Sequence, residues 1–524
     1  MSALASADLR DLAPLNDGLS ADYLEHNAVL PVRIEDGQVL VATWRDALED
    51  RVLDDLRLML AAEPVPVQLP EDDIRAAIRR VYGGEATTAE ALIEGMASDG
   101  VGPASGRVAG APAGTANVAD VALDDLVSQA NEAPVVRLVN MLLLEALDAR
   151  ASDVHLEQHA TGLDVRYRID GVLQGAPLPP RQHASAVVSR LKIMAELDIA
   201  ERRLPQDGRI RLRLKERDVD VRVSTIPTLH GESVVLRLLD KKEGRIGLEE
   251  LGMAPDTLSA FSEVIARPNG IVLATGPTGS GKTTTLYAAL DRVKTGREKV
   301  LTVEDPVEYE LAGVAQVPVN TRVGLTFARA LRALLRQDPD ILLVGEIRDP
   351  ETAEIATHAA LTGHLVLSTL HTNNAASALT RLLDLGLDSY LVASTVEAVL
   401  AQRLLRRVCD ACARERPITT EELHAFGGSA SASDGVTAPQ RFPDVVREGT
   451  GCEACRNTGF VGRTGIYELL RISERIRAEI YRRSGSGIIG RLATEAGMRT
   501  LRGDGLRLVA EGVTTPAEVL RVVV

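Results

Sequence analysis

The ten residues Gly276-Pro277-Thr278-Gly279-Ser280-Gly281-Lys282-Thr283-Thr284-Thr285 constrain this chain more than any other stretch. Their spacing fits the phosphate-loop pattern G-x-x-x-x-G-K-[ST] in full. The glycines let the backbone curl until successive N–H groups face phosphate oxygens. Lys282 adds a mobile cation for the β- and γ-phosphates, and the Thr283 hydroxyl can hold Mg²⁺. Flanking residues strengthen the match. Ile271 to Thr275 reads as a buried strand, and Thr284 to Val293 as a helix whose positive end favours an anion. A chain built this way binds a nucleoside triphosphate.

Other strand-and-turn signals surround that loop. Val300-Leu301-Thr302-Val303 predicts a strand ending at the acidic turn Glu304-Asp305-Pro306-Val307-Glu308-Tyr309. Phe327 to Gln337 predicts an arginine-rich helix stopped by Asp338-Pro339. Ile341-Leu342-Leu343-Val344-Gly345-Glu346 predicts an apolar strand that delivers a carboxylate at its C-terminal edge, where α/β sheets bind ligands. Leu365 to Leu370 predicts another strand, flanked by His364 and His371. Neither histidine has a metal partner at ligand spacing, so each is either a structural hydrogen-bonder or a phosphate sensor.

At 524 residues the chain exceeds one ordinary core and divides into several domains. Residues 1 to about 82 predict a small α/β module, with Asp36-Gly37 as a hairpin turn between strands. The Gly/Ala/Ser/Pro-rich residues 95–117 predict a flexible tether. The first unit is therefore 1–94, a partner-docking module. A second domain, 118–246, is predicted to have a helix from Asn131 or Glu132 to Arg150. Its strands fall at Val154–Glu157, Leu163–Ile169, Ile210–Leu214, Asp218–Thr225 and Ser233–Leu239. Pro205-Gln206-Asp207-Gly208-Arg209 reads as a turn that places an arginine at a strand start. Arg222 and Arg237 lie on two further strands. A lone strand arginine usually faces water, but several beside a nucleotide domain could reach triphosphate. Residues 247–524 form the nucleotide domain and close with Val461 to Thr464 and helices from Ser473 to Val524.

All four cysteines follow residue 400, as Cys409-x-x-Cys412 and Cys452-x-x-Cys455 with 39 residues between the pairs. Four thiolates in two knuckles suit a closed structural zinc site, here an arm spanning 404–460. The Gly/Ser/Ala-rich residues 427–439 predict a loop inside it. Met1 to Asp17 lacks a basic region ahead of an apolar core, so no secretory signal is expected. No apolar run reaches about 18 residues, so no membrane span is expected. The net charge of −15 and 3% aromatic content argue against general affinity for nucleic acid. The arginines around the first knuckle (Arg403, Arg406, Arg407, Arg414, Arg416) favour the alternative, a nucleic-acid-dependent motor or zinc-ribbon binder.

With these motifs in order, the chain resembles the ATPases of type II secretion and type IV pilus assembly. Ala133 to Asn140, Ala151 to Glu157, Arg203 to Arg209, the phosphate loop, Val303 to Tyr309, Arg336 to Asp340, Gly345 to Asp349, His364 to Asn373 and the cysteines all carry the resemblance. It implies an α/β fold: a RecA-like phosphate-loop NTPase domain, a PAS-like α+β domain before it, and a small N-terminal α/β module. It implies a homohexamer with ATP, Mg²⁺ and Zn²⁺, driving pseudopilus assembly and protein export. Lys282 and Thr283 would hold phosphate and metal. Glu304 and Glu346 would share polarisation of water and organisation of Mg²⁺, and His371 would watch the γ-phosphate. Arg222 and Arg237, with Arg332, Arg336, Arg348 and Arg381, would neutralise charge across an interface. Expected partners are an inner-membrane platform protein and, through residues 1–94, the cytoplasmic part of a bitopic inner-membrane protein. The expected place is the cytoplasm, held peripherally at the inner membrane. The single small N-terminal module is more like secretion members than pilus-assembly members, although the 39-residue cysteine interval is long for them.

Overall fold

The computed structural model describes residues 9, 12, 15, 24, 27–35, 38–45, 48, 50–60, 62–81, 121–122, 134–176, 181–214, 217–240, 246–426 and 443–523. The expected tether at 95–117, the turn Asp36-Gly37 and the loop 427–439 lie outside these residues.

The first unit has three strands, β1 (Val29–Glu35), β2 (Gln38–Thr43) and β3 (Glu63–Gln68). β1 and β2 pair antiparallel with the register Val29↔Thr43, and β3 joins β2 in parallel. Helices Asp50–Leu60 and Glu71–Val81 complete it. Leu56, Ile74 and Ile78 are fully buried with Val29, Val39 and Val41, a small core of the unit's own.

The second unit is one seven-stranded sheet. Its strands are β4 (Val121–Ala122), β5 (Ala151–His159), β6 (Gly162–Ile169), β7 (Val172–Gly175), β8 (Gln206–Leu214), β9 (Arg217–Thr228) and β10 (Gly231–Asp240), in the order β4-β8-β9-β10-β5-β6-β7. Helices Pro134–Asp148 and Ala184–Met194 cover one face, where Val154, Leu156, Val165, Val221, Val223, Val234 and Leu236 meet Leu138 and Leu142. Alternation along each strand sends Arg209, Arg222 and Arg237 to the other face. The segment Pro205–Arg209 is not a turn. Gln206 already pairs with Thr225, and β8 continues from there. Gly208 marks a close approach instead: a Cβ there would lie 2.4 Å from the Ala195 carbonyl.

The third unit is a second seven-stranded sheet with helices on both faces. Its strands are β11 (Gly270–Thr275), β12 (Val300–Glu304), β13 (Ala315–Pro318), β14 (Ile341–Val344), β15 (Leu365–Leu370), β16 (Val396–Val408) and β19 (Phe460–Arg471), in the order β13-β12-β14-β15-β11-β16-β19. All pairs are parallel except β16 with β19. Ile271 and Leu273 enter one core, Val272 and Ala274 the other, so β11 is buried on both faces as a central parallel strand requires. Three of the C-terminal helices are capped by the Ser473, Thr500 and Thr515 hydroxyls, each accepting the N–H three residues on.

Two strands have no counterpart in the sequence reading, or only a fragment of one. β16 is rich in Leu, Ala and Arg, which intrinsically favour helix. Its strand form depends on pairing with β11 on one side and β19 on the other, so tertiary context overrides propensity. β19 runs for 12 residues, where only Val461 to Thr464 stood out. A separate two-stranded ladder, β17 (Ala413–Pro417) with β18 (Val445–Gly449), stands next to the cysteines.

The second unit also buries an ion pair. Lys192 Nζ donates to Glu232 Oε1 at 2.8 Å and to the Glu201 carbonyl at 2.6 Å, with the two side chains 1% and 7% exposed. Removing one partner leaves the other charge buried alone. Lys192→Met should therefore destabilise this unit by about 3–5 kcal/mol, and adding Glu232→Gln should recover more than half of that. Urea unfolding of the full chain checks both values; equal stability of the single and double variants would contradict them.

Candidate functional site

The phosphate loop joins β11 to helix Lys282–Val293. Gly281, with φ of 86°, sits at the helix N-cap, so the first free N–H groups open onto the loop. Gly276 lies against β16: a Cβ would stand 2.6 Å from the Gln402 carbonyl and from Ser280 Oγ. Lys282 is 8% exposed. Its ammonium donates to the loop's own carbonyls, to Gly276 at 2.8 Å and Pro277 at 3.0 Å. Burial brings its pKa down to about 8; the Glu346 carboxylate opposes that shift and the Arg403 guanidinium adds to it.

Three neighbouring strand tips converge on this loop. Thr275, the last residue of β11, holds the loop after β15, with its Oγ1 2.8 Å from Thr372 Oγ1 and accepting the Thr372 N–H at 2.9 Å. The tip of β14 is tied to β15 by Ser368 Oγ to the Val344 carbonyl and Thr369 Oγ1 to the Gly345 carbonyl, both 2.7 Å. Glu346 leaves that tip and meets two cationic or potentially cationic groups, Arg348 at 2.7 Å and His371 Nε2 at 3.5 Å. Burial, then the Lys282 charge, lowers the His371 pKa, while Glu346 pulls it the other way. Lys282, Glu346, Arg348 and His371 thus form one electrostatic cluster at the C-terminal edge of the sheet.

Glu304 sits in a different environment although its strand is adjacent. Val303 pairs with Val344, yet the Glu304 carboxylate turns toward helix Lys282–Val293. There it accepts from Tyr287 OH, from Thr302 Oγ1 at 2.6 Å and from Gln316 Nε2 at 3.2 Å. Burial, helped by this hydrogen bond, raises the Tyr287 phenol, so it stays a donor. The two glutamates that the sequence left interchangeable are therefore distinct: one is surrounded by neutral donors, the other by cations.

The predicted arginines separate in the same way. Arg222 reaches from the second sheet to the acidic turn, donating to the Val307 carbonyl at 3.0 Å and approaching Glu308 at 3.2 Å. Arg237 pairs with Asp153 at 3.0 Å. Strand register places Arg209, Arg222, Arg237, Asp153 and Arg168 side by side across β8, β9, β10, β5 and β6. Arg209, which the sequence places at a strand start as one of several arginines able to reach triphosphate, belongs to this row; that it stands directly beside Arg222 is a matter of cross-strand register, which a linear pattern does not show. Arg332 goes to Glu351 at 2.6 Å and Arg336 to the Arg332 carbonyl at 2.9 Å, while Arg381 is exposed. His364 Nδ1 lies 2.8 Å from the Ala359 carbonyl, a local contact away from the cluster.

The four cysteines come together as a separate centre. Their sulfurs all lie within 4.8 Å of one another. Three separations are 3.9 Å (Cys409–Cys452), 3.8 Å (Cys412–Cys455) and 3.7 Å (Cys452–Cys455). A tetrahedral site with Zn–S of about 2.3 Å has edges of about 3.8 Å, so the donor set fits zinc. Cys455 Sγ also accepts the Cys452 and Gly459 N–H groups at 3.1 and 3.2 Å, which favours a thiolate. β17, helix Thr420–Ala425 and β18 occupy part of the interval between the knuckles.

A family described as "Type II/IV secretion system protein" matches residues 128–521. A second, described as "MshEN domain", matches residues 3–88. "Type II secretion system protein HxcR" of Pseudomonas aeruginosa is 52% identical over 76% of this chain and 79% of its own length. "Type II secretion system protein E" of Xanthomonas campestris pv. campestris is 44% identical over 98% of this chain and 86% of its own. "Type II secretion system ATPase E" of Vibrio cholerae is 47% identical over 76% and 77%. Among solved structures, the Legionella pneumophila ATPase DotB superposes with a TM-score of 0.52 at 20% identity, covering 72% of this chain and 93% of that one. That likeness is one of fold.

The depressed pKa of Lys282 has a measurable consequence. Phosphate charges in the loop must raise it again, so above pH about 8 nucleotide binding takes up a proton. Affinity should fall as pH rises past that value, by up to about tenfold per pH unit. Calorimetry of ATP-analogue binding in two buffers of different ionisation enthalpy measures the uptake. Binding with no proton uptake across this range would contradict the assignment to Lys282.

Proposed function

This chain belongs to the type II/IV secretion system protein family and is an ATPase of type II secretion; from that premise we propose how its residues divide the work. The observation that carries the reading is Glu346, set among Lys282, Arg348 and His371 at the sheet edge. On ATP binding, Lys282 exchanges its two carbonyl partners for β- and γ-phosphate oxygens, and the helix N–H groups take the remaining charge. Residues 276–284 form the cradle. The Thr283 hydroxyl and the Glu346 carboxylate are hard oxygen donors suited to Mg²⁺, an ion that neutralises charge on the transferring phosphoryl group.

The Glu346 carboxylate also accepts from and orients the attacking water, and His371 reports the γ-phosphate to it. The three donors on Glu304 support a positioning role, fixing the tip of β12 to the helix behind the phosphate loop. Arg209, Arg222 and Arg237 stand next to one another with Asp153 as the one carboxylate of their row. Like charges directly opposite repel, so the row favours closing on an anion. Closure of this sheet on the triphosphate is the stroke that hydrolysis releases. The sulfur geometry supports zinc at Cys409, Cys412, Cys452 and Cys455 as a structural ion that organises the arm.

The chain acts as a homohexamer that drives pseudopilus assembly by moving an inner-membrane platform protein. No helix among the described residues is long and apolar enough to cross a membrane, which supports attachment through partners. Residues 1–94 supply that attachment by docking on a bitopic inner-membrane protein.

Glu346→Gln keeps size and removes charge. Turnover should fall by about 100-fold or more while ATP still binds; steady-state hydrolysis and analogue binding on the same oligomeric preparation decide this, and near-normal turnover would end the assignment. For the second centre, elemental analysis of unchelated protein should find one zinc per chain. Cys455→Ser should lose the metal and loosen residues 409–460 to proteolysis while leaving the phosphate loop folded. Zinc-free wild-type protein with an intact arm would refute it.

A further inference from the structure

Behind the phosphate loop, β16 delivers two adjacent polar residues, Gln402 and Arg403, to which none of the roles above applies. They are 1% and 8% exposed. Ala401 is the last β16 residue paired with β11, so this strand continues past the point where β11 gives way to the loop. Gln402 Nε2 donates to the Ser280 carbonyl at 2.6 Å. The Gln402 carbonyl and the Arg403 Nη1 both press on Gly276, at 2.6 and 3.1 Å from where a Cβ would stand. Arg403 then forks. Nη1 donates to the Gln402 carbonyl and Nη2 to the Asn373 carbonyl, each at 2.9 Å. Asn373 belongs to the loop that carries His371, so one guanidinium joins the support of the phosphate loop to the histidine loop.

This arrangement is costly as mere packing. Burial lowers the Arg403 pKa, and only the more distant Glu468 opposes that. No ion pair joins Arg403 to a carboxylate among the described residues. Its charge also stands close enough to Lys282 to disfavour that ammonium. An apolar side chain of similar length would fill the space without putting a second cation under a cationic loop. What an apolar chain cannot do is hold two carbonyls from different segments at fixed separation; a planar guanidinium can. Thr275, at the end of the strand that enters the phosphate loop, makes a second tie to the histidine loop through Thr372. Glu468 anchors the surroundings by accepting the Ala375 and Leu501 N–H groups at 2.9 and 3.3 Å, at the starts of two helices.

We propose that Arg403 is a positioning residue for ATP hydrolysis: packed against Gly276, its fork ties β16, the strand that supports the phosphate loop, to the His371–Asn373 loop, so that triphosphate held by the phosphate loop meets the histidine. The proposal rests on the nucleotide site described above. Its signature is a split between binding and turnover, because the loop can still hold phosphate when the histidine loop has drifted.

The test uses the full chain. Arg403→Lys retains charge and stem but cannot span both carbonyls, and Arg403→Gln retains one donor without charge. For both, kcat should fall by about tenfold or more while the Kd of an ATP analogue changes by less than about threefold. Bound analogue should still slow hydrogen exchange at amides 276–283, but no longer at 371–374. Gln402→Glu, which turns an acceptor toward the Ser280 carbonyl, should instead weaken analogue binding. Wild-type kcat in Arg403→Lys, a proportional loss of kcat and affinity, or failure of both Arg403 variants to fold would each overturn the proposal. The underlying site is tested separately by Lys282→Ala: analogue binding equal to wild type there would refute the site itself, whatever Arg403 does.

Discussion

A buried ammonium group sets the terms for the nucleotide domain. Lys282 is almost wholly removed from water, and two carbonyls of its own loop replace its hydration. Those carbonyls can turn inward only because the loop backbone follows a path that glycine permits at 276 and 281. The helix that starts at the lysine adds its positive end to the same small volume. Positive charge is therefore concentrated in this loop, and polyphosphate is the chemistry that balances it. Partial compensation from Glu346 explains why the acidic strand tip must lie beside this loop and not elsewhere on the sheet edge.

Holding these charges in place requires rigid strand tips, and hydroxyl groups supply the rigidity. Thr275, Ser368 and Thr369 each bond to the next strand or its exit loop, close to the point where the chain leaves the sheet. Tyr287 and Thr302 do the same for Glu304. All but the half-buried Thr369 bond are buried, where hydrogen bonds are strong and unpaired groups are costly. Parallel pairing from β13 to β16 aligns all the tips on one edge, so short polar side chains suffice to bridge them.

Elsewhere in the chain the balance differs. The second sheet carries arginines on adjacent strands, and Arg222 already touches the acidic turn of the neighbouring unit. Such a contact is modest and reversible, which suits the closure proposed for this sheet. The cysteine arm has the opposite requirement. Its short ladder and the C-cap of its six-residue helix send Val446 and Phe426 into the core of the nucleotide unit, and the four sulfurs, at the edge length of a zinc tetrahedron, are suited to brace the remainder.

Much of this was legible in the residue order. The phosphate loop, the acidic strand tips and the paired knuckles rest on local chemistry: glycine conformations, apolar runs ending in a carboxylate, thiols at ligand spacing. Such signals act over a few residues and survive in a linear string. Tertiary structure decided the rest. β16 has a composition that favours helix and becomes a strand only between β11 and β19. Gly208 looked like a turn residue, but the Ala195 carbonyl is what excludes a side chain there. Glu304 and Glu346 are equivalent as text, and only the neighbours brought by the fold, neutral donors for one and cations for the other, tell them apart. Arg209 and Arg403 acquire meaning from partners many residues away, because register across a sheet and contact behind a loop are properties of the folded chain alone.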